Sequence, residues 1–224
     1  MLTLLADHPR FLLIDKPAGL SFHREDDAPG VLDLLREQTG VEPLHAVHRL
    51  DRLTSGLLLV AKGAESAALF GELFSRRQIG KYYLALSDRA PKKKQGGICG
   101  DMEKGRNGSW KLLQRQDDPA RTQFFSAGLG NGLRAFVLRP LTGRTHQLRV
   151  AMKALGSPIL GDSRYAGSPA DRGYLHAFAL QFMLEGEQFA FHCPPSVGEH
   201  WLGPEWEPVM RRFTNPWSLT WPRG

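Results

Sequence analysis

The residues whose types and spacing could do chemistry gather first around Asp51. It lies in His48-Arg49-Leu50-Asp51-Arg52-Leu53-Thr54-Ser55-Gly56, directly before the apolar run Leu57-Leu58-Leu59-Val60-Ala61. A carboxylate at the mouth of a buried strand can be held rigidly while its head faces a cleft. An ordinary aspartate is ionised at neutral pH without help from a second residue, so it can serve as nucleophile or base. It needs a cation to orient it, and Arg144, from a distant segment, is a candidate. A surface Asp–Arg salt bridge at a turn is the plainer reading of the same residues.

Other groupings invite chemistry too. Tyr82 and Tyr83 open a strand-like run and face opposite sides of it; one should enter the core, and the other can stack on a base or simply pack. Thr142-Gly143-Arg144-Thr145-His146-Gln147-Leu148-Arg149-Val150 joins a turn to a helix. Donors gathered at a helix start suit an anion such as a phosphate or a carboxylate; a capped helix with solvated arginines is the alternative. Lys92, Lys93, Lys94, Lys104 and Arg106 form a basic stretch, either a solvated loop or a contact to an RNA backbone. His45, His48 and Asp51 stand three apart, a spacing that can suggest a metal site. Strand alternation does not bring such residues to one side, and the segment lacks a helical pattern, so no metal is expected.

The elements that must position these groups read as strand-rich. Residues 11–14 and 57–61 are short apolar runs, the first closed by Asp15-Lys16-Pro17-Ala18-Gly19, and both predict buried strands. Val31, Leu32, Leu34 and Leu35 have helical spacing, ended by Gly40. An amphipathic helix is predicted over 64–78, with Leu69, Leu73, Phe74 and Ile79 inward and Gly80 as its stop. Strands follow at 82–86, 111–113, 122–125 and 134–138, with 91–97 an exposed loop and Gly128, Gly130 and Gly132 marking a turn. A helix over 145–155, a strand pair at 175–184 and 189–192, and a short helix over 205–213 complete the chain. This balance favours an α+β class with a mixed, largely antiparallel central sheet, flanking helices and an active-site cleft.

Composition bounds the rest. The 224 residues are 42% hydrophobic and 23% charged, ordinary for a folded soluble protein, and carry a formal charge of +6 that favours polyanionic partners. Cys99 and Cys193 form no CxxC pair and read as reduced thiols. The N-terminus lacks the pattern of a signal peptide, and no apolar run is long enough to span a membrane. A cytoplasmic protein is expected.

Taken together, the segments resemble the RluA-type pseudouridine synthases. HRLDRLTSG, residues 48–56, is similar to that family's active-site motif. Leu12 to Leu20, LLIDKPAGL, resembles its first motif; Lys81 to Leu86, its K-x-Y-x-AL segment; Leu141 to Val150, its TGRTHQ[IL]RV motif. Residues 156–162 with Tyr165 fit LGxPIxGDxxY, and Leu175-His176-Ala177 with Phe191-His192-Cys193-Pro194 fits the closing stretch. The motifs stand in family order over roughly residues 4 to 195.

The resemblance implies the pseudouridine synthase fold and an isomerase that converts uridine in RNA to pseudouridine without a cofactor. Asp51 would be the catalytic carboxylate, Arg144 its partner, and Tyr83 the ring that stacks on the flipped uracil. Arg49 would enter the RNA stack in place of the base. The substrate-binding set would extend to His48, Arg52 and Thr54, and to Leu148 and Leu175 in the later motifs. Two positions depart from the pattern. Ala151 stands where histidine is common, and Leu53 where glutamate is common, which bears on fine substrate contacts. One catalytic domain over 1–224 is expected, without the S4-type domain many relatives carry in front, acting as a monomer on a tRNA or rRNA stem-loop. Two rivals use the same residues differently: a catalytically dead RNA-binding module, and a metal-dependent hydrolase built on His45, His48 and Asp51.

Overall fold

The computed structural model describes residues 1–25 and 28–222, so the expected domain limit at residue 224 lies outside the described residues. In chain order the elements are β1 (Thr3–His8), β2 (Phe11–Lys16), α1 (Val31–Thr39), β3 (Leu44–Ala46), β4 (Ser55–Lys62), α2 (Gly63–Ser75) and β5 (Gly80–Ser87). There follow β6 (Gln95–Gly100), β7 (Met102–Lys104), β8 (Trp110–Leu112), β9 (Ala120–Gly130) and β10 (Leu133–Pro140). The chain continues through α3 (Gln147–Ala154), β11 (Leu175–Leu184), β12 (Glu187–His192) and α4 (Trp206–Phe213). Contacts gather into two units, the first comprising residues 1–80 and 176–195, the second the remainder.

In the first unit β4 is the organising strand. It pairs antiparallel with β2 from Phe11↔Ala61 to Lys16↔Gly56. Its other edge is shared: β11 runs parallel to it at Ser55 and Gly56, and β3 antiparallel at its far end. β1 extends the sheet beyond β2, and β12 beyond β11. Leu57 to Ala61 are all buried, as a continuous apolar run implies for a strand covered on both faces. Phe11, Phe70 and Phe182 meet edge to face at 5.6–5.8 Å, and Phe182 stacks on Phe189 at 5.3 Å. The β11–β12 turn places Glu185 and Gly186 both at positive φ, the two-residue geometry that matches strand twist.

The helix after β4 differs from the sequence expectation. It ends at Ser75, not near Gln78, and Arg77 adopts a left-handed φ of 58°; Gly80 opens β5 instead of stopping the helix. Its buried residues are Ser66 and Phe70, whereas Leu69, Leu73 and Phe74 are half-buried. Phe70 takes the inward position, its ring meeting those of Phe11 and Phe182.

The second unit is an antiparallel sheet of order β5-β10-β9-β6, in which β10 pairs with β5 and β9, and β9 with β6. β7 and β8 form a separate hairpin. The end of the expected loop at 91–97 is therefore strand: Gln95, Gly96 and Gly97 pair with β9, while Lys92, Lys93 and Lys94 are exposed. Gly128 and Gly130 lie within β9, and the chain reverses at Asn131 and Gly132. Tyr82 stacks on Trp221 at 5.8 Å and meets Trp217 edge-on at 6.4 Å, so the C-terminal segment closes this core. Among the described residues no helix is long and apolar enough to cross a membrane.

Candidate active site

The Asp51 loop, between β3 and β4, is fixed by its neighbours. His48 Nε2 accepts the Leu59 N–H at 2.9 Å, and its ring stacks on Phe74 at 5.0 Å. Leu50 and Thr54 are buried. The Thr54 N–H donates to the Asp51 carbonyl at 3.0 Å, closing the turn. Arg52 is tied twice to the turn after β2: Gly19 N–H donates to its carbonyl at 2.7 Å, and its Nε donates to the Gly19 carbonyl at 3.0 Å. Its Nη1 reaches Glu25 at 3.1 Å. Asp51 itself is half-buried and Arg49 exposed, with Arg49 Nη1 3.0 Å from His23 Nε2.

The Gly19 turn has its own anchor, which the sequence did not announce. Lys16 is fully buried, and its ammonium donates to the Pro17 and Leu20 carbonyls at 2.9 and 2.8 Å. Burying an ammonium is costly unless its donors are met, and here backbone carbonyls meet them. Lysine normally signals surface, so only the family pattern around DKPAGL marks this position.

Where the loop enters β4, Ser55 Oγ lies 2.8 Å from His176 Nδ1, and His176 Nε2 lies 2.6 Å from the Cys193 carbonyl. A carbonyl can only accept, so Nε2 carries the proton and Nδ1 accepts from the serine hydroxyl. Gly56, at φ +103°, allows β4 and β11 to meet: a Cβ there would lie 2.3 Å from the Ala177 carbonyl oxygen. The Cys193 thiol is buried, and burial together with the nearby Asp15 carboxylate pushes its pKa up to about 12. Cys193 is thus held as an inert thiol; neither it nor Cys99 forms a disulfide.

In the second unit Tyr83 is half-buried on β5, on the face opposite the buried Tyr82. Arg144 sits in the turn between β10 and α3, and Gln147 holds that turn. The Gln147 Oε1 accepts from Thr142 Oγ1 at 2.8 Å and from the Arg144 N–H at 3.0 Å. Its Nε2 donates to the Arg121 carbonyl and to Thr122 Oγ1, both at 3.0 Å. His146 takes a left-handed φ of 57° and places Nδ1 2.8 Å from the Tyr165 hydroxyl. Arg149 makes a buried bidentate pair with Asp162 at 2.7 and 2.8 Å. The TGRTHQLR and GDxxY motifs thus brace one another, and the guanidinium of Arg144 is left at the surface, paired with Asp118. Asp118 in turn is placed by Asp101, whose buried carboxylate accepts the Asp118 N–H at 2.9 Å and Arg115 Nε at 2.8 Å. The Arg115 hydrogen bond holds the Asp101 carboxyl below the usual range, with the backbone N–H groups of Asp118 and Asp117 adding to it against the cost of burial.

Leu148 and Leu175 are buried, the first in α3 and the second at the start of β11. Lys104 and Arg106 are exposed near the β7–β8 hairpin. Among the described residues no three His, Cys, Asp or Glu side chains gather as a metal site. The Leu59 N–H already occupies His48 Nε2, one of its two ring nitrogens.

Comparison with known proteins places the fold and the family. The human RNA pseudouridylate synthase domain containing 4 protein matches with a TM-score of 0.73 and 26% identity, over 92% of this chain and 93% of that one. The corresponding human domain containing 1 protein also matches at 0.73 and 26%, over 87% and 84%. The fold is that of the pseudouridine synthases. Residues 10–154 match the RNA pseudouridylate synthase family. A Haemophilus influenzae protein named "Uncharacterized RNA pseudouridine synthase" is 49% identical over 212 residues, 93% of this chain and 95% of the relative. The "tRNA pseudouridine synthase C" of Pasteurella multocida is 33% identical over 215 residues, 86% of each chain. The chain belongs to the RluA-type RNA pseudouridine synthases, isomerases that turn uridine in RNA into pseudouridine.

Proposed function

We propose that this enzyme isomerises a uridine in a structured tRNA or rRNA, with Asp51 as its catalytic carboxylate. The observation that carries this reading is the loop around Asp51. His48, Leu50, Arg52 and Thr54 are each held by a backbone hydrogen bond or by burial, while Asp51 between them stays half-exposed. A site residue must be held that firmly to meet a reacting atom.

The reaction breaks the N-glycosidic bond, turns the uracil and joins C5 to C1′. Water must be excluded, or an abasic site results. One carboxylate suffices, whereas glycoside hydrolysis generally employs two. Tyr83 stacks on the flipped uracil, returning about 1–3 kcal/mol of a flipping cost of a few kcal/mol. Arg49, exposed two residues from Asp51, fills the vacated place in the RNA stack. Arg144 serves the same reaction as the cation for Asp51. Among the remaining expected substrate contacts, His48, Arg52 and Thr54 act through the loop they hold, and Leu148 and Leu175 through apolar packing. The exposed Lys92, Lys93, Lys94, Lys104 and Arg106 suit an RNA backbone.

The relatives' names support tRNA and ribosomal RNA alike, since "Ribosomal large subunit pseudouridine synthase C" of Rickettsia bellii is also 34% identical over 170 residues. We further take the enzyme to be a cytoplasmic monomer in which both units serve one catalytic domain without a cofactor. Mapping pseudouridines in the RNA of cells with and without the gene tests this reading. The expected result is loss of one or a few tRNA or rRNA sites. An unchanged map would contradict it.

A further inference from the structure

Lys81 stands at the start of β5, two residues before Tyr83. Residues two apart on a strand leave the same face, so Lys81 shares its face with Tyr83, and Tyr82 leaves the other. β5 pairs with β10 through Tyr83↔Leu138. Continuing that register puts Lys81 opposite Pro140, where β10 gives way to the turn that carries Arg144. The side chain reaches that turn: a Cβ built on Gly143 would lie 3.8 Å from Lys81 Nζ. Lys81 is half-buried, unlike the solvated lysines at 92–94.

We propose that Lys81 is a further catalytic residue of this enzyme, its ammonium contacting the uracil as the glycosidic bond breaks. The inference rests on the reading that Tyr83 receives the flipped base. When N1–C1′ breaks, its electron pair stays on the uracil and spreads over N1, O2 and O4. After C5 joins C1′, the C5 proton is lost and N1 takes one up, so the charge is transient. A fixed cation beside the ring offsets it while remaining protonated itself. Such a charge acts most strongly where water is excluded. Burial also lowers the Lys81 pKa from the usual lysine value, which marks a desolvated cation whose field is poorly screened.

The test compares Lys81→Met and Lys81→Arg with the unaltered enzyme on tRNA and rRNA extracted from a strain lacking the gene, following pseudouridine against RNA concentration. Lys81→Met should lower turnover at saturating RNA by about tenfold or more, with the half-saturating concentration and the thermal midpoint nearly unchanged. Lys81→Arg should regain most of that turnover. Should Lys81→Met fail to fold, Lys81→Gln is read in its place. Full turnover with only weakened RNA binding would overturn the proposal, as would a Lys81→Arg enzyme as slow as Lys81→Met. An unaltered enzyme that makes no pseudouridine on any of these RNAs overturns the functional reading first, and this inference with it.

Discussion

Ser55 and His176 lock the strand that leaves the Asp51 loop to the parallel strand beside it, hydroxyl to Nδ1 at 2.8 Å, with the imidazole committed on its far side to the Cys193 carbonyl. Both residues are buried. Ser55→Ala would leave the imidazole nitrogen without its donor, at a cost of about 1–3 kcal/mol. Urea unfolding should show that loss, and turnover should fall with it because the exit of the Asp51 loop is loosened. A variant with full stability would show that the bond contributes little.

The Arg149–Asp162 pair makes a larger demand. Its side chains are 8% and 2% exposed, so removing one partner strands a buried charge. Asp162→Leu should destabilise by about 3–5 kcal/mol, and adding Arg149→Met should recover part of it. Denaturant midpoints for the two single variants and the double variant check this. Equal losses for single and double variants would count against it.

Asp118 bears on activity more than on fold. Its side chain is 77% exposed and its partner Arg144 is 43% exposed, so the pair itself adds little stability. Asp118→Asn should leave the thermal midpoint nearly unchanged. It should also tighten RNA binding at low salt by about two- to fivefold, because a carboxylate beside Arg144 no longer repels the phosphates. Filter binding measures this directly, and weaker binding would reverse the role given to Asp118.

The sequence made some of this legible and hid the rest, for physical reasons. The runs at 11–14 and 57–61 announced buried strands because every residue in them is apolar, and Gly40 marked a helix end that takes a positive φ. The neighbourhood of Asp51 was legible as a motif. Its supports were not: the Lys16 ammonium, the His48 ring and the Gln147 amide act through backbone partners that only the folded chain brings near. Nor could periodicity decide which residue of α2 enters the core most deeply, since Leu69, Phe70, Leu73 and Phe74 all fall on one side of the helix. The ion pair of Arg144 with Asp118 joins residues 26 apart and carries no sequence signal.

Arg49 should matter to catalysis on folded RNA and hardly at all to stability. It is exposed, and its Nη1 lies 3.0 Å from Nε2 of His23, itself exposed. Arg49→Ala should keep its thermal midpoint and lose turnover on a structured stem-loop. On a short unstructured oligonucleotide the loss should be smaller, because there is no helical stack to refill. Equal losses on both RNAs would remove the base-replacing role.

The most direct measurement bears on Asp51. RNA from a strain lacking the gene is incubated with purified unaltered enzyme or with Asp51→Asn, and pseudouridine is quantified by mass spectrometry. The amide keeps the shape of the side chain but has neither the charge nor the basicity that the reaction requires. The expected result is pseudouridine with the unaltered enzyme and none with Asp51→Asn, although that variant folds and binds RNA. Pseudouridine formed at an undiminished rate by Asp51→Asn would contradict the role assigned to the carboxylate.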